Sequence, residues 1–197
     1  VTTAAHASST AVGAQLLASA TSYTCTMLGR VRDSDLARRT PCERWDLAAL
    51  FAHMEDSLLA FTEAVTGAVS MRSPVTGRSS VEPVRRLQTL AGELLGAWEP
   101  PPERGATRIG TAPMATSLVA AAGALEIAVH GWDVGEATGG ADPIPAALAG
   151  ELLAVAPVLI GPHDRGVRFA AARPIVAGAS ESDRLLALAG RRPAPRR

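Results

Sequence analysis

The stretch MATSLVAAAGALEIAVHGWDV, Met114 to Val134, sets the reading of everything around it. It is apolar on nearly every side of a helix, the pattern of a helix buried inside its domain rather than laid on the surface. Three chargeable side chains interrupt its body: Glu126, His130 and Asp133. At about 100° per residue they share one sector about 60° wide. Gly123, one turn earlier, borders that sector and is expected to leave room above Glu126. An unpaired carboxylate in such surroundings is costly unless it is paired, coordinated or protonated. Glu126 and His130 stand at i and i+4, so both can point at one spot.

Outward from this segment the apolar periodicity predicts further helices. One runs from about residue 8 to 29, with Val12, Leu16, Ala20, Tyr23 and Met27 on one face. A second starts at Leu47 behind Asp46, a good N-cap, and carries Leu47, Leu50, Phe51, Met54, Leu58, Phe61 and Val65 in one stripe before ending near Gly67. Ser70 to Ser80 reads as a loop. A third helix runs from about Val81 to Trp98, with Val84, Leu87, Leu90, Leu94 and Trp98 inward. The buried helix begins after Pro113 and stops at Gly139 and Gly140, near Thr138. Pro145 to Ile160 reads as a shorter helix disturbed by Pro157. VRFAAARPIV reads as a short extended piece and Ser182 to Ala189 as a last turn or two. The expectation is an all-α four-helix bundle with a short C-terminal extension: one domain over 1–190, and a disordered tail over 191–197.

Composition agrees. Of 197 residues 47% are hydrophobic but only 4% aromatic, so Ala, Leu and Val must fill the core, and that favours helices over strands. Nineteen basic and nineteen acidic residues cancel, and the only basic run is RRPAPRR at the end, which argues against nucleic acid as a partner. All the basic residues are arginine, so lysine bases and Schiff bases are excluded. Cys25 and Cys42 are too few for a disulfide scaffold. The first residues lack a signal-peptide pattern, and Glu126 and His130 interrupt the longest apolar run, so a cytoplasmic chain with no membrane partner is expected.

The second helix offers a third polar group, His53, at the border of its stripe beside Leu50 and Ser57. If the second and fourth helices face each other, His53, Glu126 and His130 form a three-ligand set with open positions, as at a catalytic Zn²⁺; Ni²⁺, Fe²⁺ and Mn²⁺ suit the same ligands. The plainer alternative is an intrahelical Glu126–His130 ion pair with His53 an ordinary histidine at the edge of the core. Asp133 either holds a ligand imidazole from behind or satisfies loop backbone. Trp45 and Trp132 read as core anchors that also suit a pocket wall. His6 and His163 read as exposed, and Cys42 as a packed thiol within reach of the site.

The segments TPCERWDLAALFAHM (40–54) and ALEIAVHGWDVGEATG (124–139) resemble the mycothiol-dependent maleylpyruvate isomerase family of the DinB-like superfamily, and SDRLLALAGRRP (182–193) resembles the close of its short members. The paired motifs W-D-x-x-x-L-x-x-H and E-x-x-x-H-G-W-D are together fairly specific. The resemblance implies a divalent metal, zinc first among candidates, at His53, Glu126 and His130. It also implies mycothiol as cofactor; Arg184 reads either as a contact to it or as a helix-surface arginine, and Trp132, besides anchoring the core, is a second candidate contact. A metal converts a thiol, whose ordinary pKa is about 8.5, into a thiolate that attacks electrophilic carbon. The isomerase is a longer, two-domain protein, so an S-transferase or isomerase-like reaction is the expectation here. The partners are then a small electrophile and a thiol, and a homodimer is allowed. The alternatives are a non-catalytic metal-containing bundle that binds a small molecule or partner, and a hydrolase working through metal-bound water.

Overall fold

The computed structural model describes residues 2–42, 45–69 and 82–192, with side chains from residue 8 onward. Six helices carry the described chain: α1 (Thr2–Leu28), α2 (Leu47–Glu63), α3 (Pro83–Ala97), α4 (Thr116–Ala137), α5 (Ala146–Leu159) and α6 (Glu181–Leu188). α1 packs along α4, α2 against both α3 and α4, α3 against α1, and α5 against α6. Asp46 caps α2 as its position predicts, its Oδ1 accepting from the Ala49 N–H at 2.8 Å. None of the described helices is long and apolar enough to cross a membrane.

The all-α expectation needs correcting. Strands β1 (Ala68–Val69), β2 (Ala106–Ile109) and β3 (Ala112–Ala115) form a small sheet in that order, β1 parallel and β3 antiparallel to β2. Met114 and Ala115, expected at the start of the buried helix, are therefore extended, and α4 begins at Thr116. Gly110 at φ 58° supplies the left-handed position that a two-residue hairpin loop requires. Pro113 is tolerated because β3 lies at the sheet's edge, where a missing N–H costs no ladder bond. Thr107, fully buried, ties the hairpin to the helices through Ala64 O and the Thr116 hydroxyl, both at 3.3 Å.

The seam between α1 and α4 is built of small residues. A Cβ on Gly131 would lie 2.2 Å from Thr24 Oγ1 and 3.1 Å from Thr24 Cα, so the two backbones can approach only because Gly131 lacks one. Thr24 Oγ1 in turn donates to Ile127 O at 2.8 Å. The inward face of α1 is Gly13, Leu16, Leu17 and Ala20, which leaves Val12, expected inside, 53% exposed. Trp98 plugs the end of α3 and donates its indole N–H to Phe61 O at 3.0 Å.

Beyond α4 the shorter helix expected over Pro145 to Ile160 is present as α5. Pro157 sits exposed in the last turn of α5, which runs on to Leu159. VRFAAARPIV forms no strand; its start is held by an isolated bridge from Phe169 to Arg165, and Arg173 N–H bonds to Ala187 O at 2.9 Å. α6 closes with two reversed bonds, Gly190 N–H to Ala187 O and Arg191 N–H to Leu186 O, with Gly190 left-handed at φ 82°. That turn sends Arg191 into the interior at 6% exposure, so the disordered tail expected from 191 does not include Arg191. The loop expected over Ser70–Ser80 and the remainder of the tail from 193 lie outside the described residues.

Candidate metal centre

α4 presents Glu126 and His130 one turn apart, and α2 packs on α4 so that His53 meets them. His53 Nε2 lies 2.6 Å and His130 Nε2 3.3 Å from Glu126 Oε1, and the Ser57 hydroxyl donates to the same oxygen at 3.2 Å. One potential ligand atom from each of His53, Glu126 and His130 falls within 4.8 Å of the others. The two imidazoles meet edge to face, centroids 5.0 Å apart, and the Trp45 ring covers His53 at 4.5 Å. Trp45 is placed by the segment before α2, where Leu47 N–H bonds to Arg38 O and Ala48 N–H to Leu36 O, each at 2.9 Å.

Behind His130 the polar chain continues. Its Nδ1 lies 2.9 Å from Asp133 Oδ2, and Asp133 is fully buried. Arg191 grips that carboxylate with both arms of its guanidinium, Nε to Oδ1 at 3.0 Å and Nη2 to Oδ2 at 2.6 Å, and donates from Nη1 to Ala189 O at 3.1 Å. Burial pushes the Glu126 carboxyl up, but His130 and His53 outweigh it and hold it well below the ordinary carboxylate range. Burial pulls His130 down, and Glu126 and Asp133 more than reverse this, carrying it to about 9 in the ion-free protein. Burial also raises Asp133, yet Arg191 and His130 bring it below its ordinary value.

The donor set suits a divalent cation. Two imidazole nitrogens and a carboxylate oxygen are borderline ligands of the kind Zn²⁺ and its neighbours take. Asp133 fixes the His130 tautomer so that Nε2, once deprotonated, presents its lone pair toward Glu126 and His53. A cavity of about 640 Å³ opens directly on the triad. Its walls are apolar around Phe61, Leu118, Leu125, Val129 and Leu159, and polar where Asp164, Arg168 and Arg191 reach it. Gly123, expected to leave this room, does not border the space. Leu17 and Phe61 fill that position, and a Cβ there would meet them at 2.9 and 3.1 Å.

The remaining candidates take up positions within or around the same core. Trp132 is buried in the core and does not line the cavity. Arg184 is exposed on α6, paired with Glu181 at 3.2 Å, because its helix turns the opposite face inward. Cys42 stands at the cavity's edge, 3.9 Å from Arg191 Nη2, and Trp45 lines the wall. His163 is exposed, and the His6 side chain lies outside the description. Arg191 escaped the sequence reading altogether; its only signal was the glycine before it, which ends a helix and turns the chain.

Residues 17–135 match the family model described as Mycothiol maleylpyruvate isomerase N-terminal domain. That span holds all three members of the triad and Asp133, and leaves Arg191 outside. No curated protein and no solved structure matches the chain.

Proposed function

Since the chain belongs to the mycothiol maleylpyruvate isomerase N-terminal domain family, we propose that it is a metal-dependent enzyme activating a low-molecular-weight thiol, mycothiol, for transfer to a small electrophile or for its isomerisation. The observation that carries this reading is the meeting of His53, Glu126 and His130 within 4.8 Å of one another at the wall of a cavity large enough for small molecules. These three would hold the ion, and on the donor chemistry zinc is the first candidate. When bound, a divalent ion supplies the charge that favours a thiolate near neutral pH.

The chain's own groups do the rest. Asp133 keeps the His130 proton on Nδ1, and Ser57 steadies Glu126 through its hydroxyl. Phe61, Leu118, Leu125 and Val129 give the space where thiol and electrophile would meet an apolar wall. Lysine is absent, so no lysine amine competes with an added thiol as the nucleophile. A four-helix DinB-like core of α1 to α4, a cytoplasmic setting and a small electrophile as substrate belong to the same reading. The cavity on the triad suits both this reading and a non-catalytic bundle that binds a small molecule, and product formation is what separates them.

Elemental analysis of purified protein, wild type against His130→Ala, is the test. About one equivalent of divalent metal is expected in the wild type and a clear loss in the variant. Incubation with mycothiol and an activated aryl halide should then yield the thioether. A wild type without metal ends the proposal, and metal without conjugate or isomerised product across a panel of electrophiles leaves the binding bundle in its place.

A further inference from the structure

The geometry points to Arg191, outside the family-matched span, as a positioning residue that holds the metal ligand His130 through Asp133. This rests on the metal reading above.

A carboxylate three residues from a histidine on the same helix can swing about its own bonds, and a single contact to Nδ1 leaves that freedom. Arg191 removes it. Its two parallel contacts, Nε to Oδ1 and Nη2 to Oδ2, set the plane of the Asp133 carboxylate, and Oδ2 alone then faces His130 Nδ1 at 2.9 Å. A ring anchored there has its Nε2 aimed at Glu126 Oε1 and, beyond it, at His53. Arg191 and Asp133 are 6% and 0% exposed, so water cannot readily replace either partner.

The guanidinium is itself held. Its Nη1 donates to Ala189 O, and its backbone N–H closes the end of α6 on Leu186 O. Gly190 makes that turn possible: a Cβ there would lie 2.8 Å from Ala170 Cβ, and at φ 82° it would be strained in any case. The last helix thus reaches back across 58 residues of sequence to the aspartate behind the site. Lysine could match the charge but not the two-pronged fork that sets the carboxylate plane.

The test is zinc affinity, measured by competition with a chromophoric chelator, on the full chain as wild type, Arg191→Gln, Arg191→Lys, Asp133→Asn and Arg191→Gln/Asp133→Asn. Circular dichroism verifies that each is folded at the working temperature. Loss of a carboxylate partner behind a ligand imidazole typically weakens metal affinity about 10–100-fold. Both arginine variants should fall in that range, and the double variant should be no weaker than the weaker single, because the two residues act in series. If Arg191→Gln does not fold, Arg191→Lys carries the test. Wild-type affinity in Arg191→Gln or Arg191→Lys overturns the inference while the metal reading stands, and so do losses that multiply in the double variant. A wild type that takes up no zinc overturns both. The visible spectrum of the Co²⁺-loaded protein gives an independent readout: bands unchanged between wild type and Arg191→Lys would likewise count against a positioning role.

Discussion

Replacing one hydrogen by a methyl should have opposite effects at Gly131 and Gly92, although both lie inside helices. In the open, glycine to alanine stabilises a helix by about 1 kcal/mol through backbone entropy. Gly92, exposed on α3, has nothing within 4 Å of the added carbon, so Gly92→Ala should realise that gain. At Gly131 the new Cβ would meet Thr24 at Oγ1 2.2 Å, Cβ 3.0 Å and Cα 3.1 Å. The hydroxyl can rotate away, at the loss of its bond to Ile127 O, a cost of about 1 kcal/mol. The Thr24 Cβ and Cα cannot rotate away, so α1 must shift from α4, and overpacking of this kind costs about 1–3 kcal/mol. Against the helix gain of about 1 kcal/mol, the net is a destabilisation of about 1–3 kcal/mol. For a chain of this size Tm moves about 2–4 °C per kcal/mol. Urea unfolding and calorimetry of the two variants and the wild type provide the comparison. A Gly131→Ala protein as stable as Gly92→Ala would refute the close approach of α1 and α4, and with it the packing that fixes α4 around His130.

Two further outcomes follow from named contacts. In the ion-free protein Glu126 and Asp133 hold His130 protonated up to about 9, so a metal must displace that proton; apparent zinc affinity should rise about tenfold per pH unit between about pH 6 and 8 and level off above 9. A chelator-competition series would show this, and a flat profile over that range would contradict it. Asp46→Ala removes the cap from α2 and should cost about 1 kcal/mol, read as a shift of the urea midpoint without change in slope.

What was legible along the chain was whatever depends on neighbours a few residues apart. The 3.6-residue period placed Leu47, Leu50, Phe51, Met54 and Leu58 inside and put Glu126, His130 and Asp133 on one side of α4, since helical bonding imposes that period wherever the helix forms. A capping aspartate announced α2, because the orphan N–H groups at a helix start need an acceptor close in sequence. Where two elements compete for the same residues, near neighbours do not decide the outcome. Met114 and Ala115 fit a helix by composition but were drawn into β3 by the hairpin at Gly110. Val12 fits an apolar stripe, but the close seam with α4 selects Gly13 for the inside instead.

Distance in sequence sets the other limit. His53 could be proposed as a partner of Glu126 only on the condition that α2 and α4 face each other, and the 2.6 Å contact appears once they pack. Arg191 gave no such hint: a basic residue in a basic tail looks like solvent-facing charge. It becomes an interior group only because the turn at Gly190 aims it at a carboxylate buried 58 positions earlier, and the attraction between them outweighs the loss of hydration only when both arrive together. Short-range bonding rules can be read residue by residue, whereas the pairing of buried charges is a property of the packed chain.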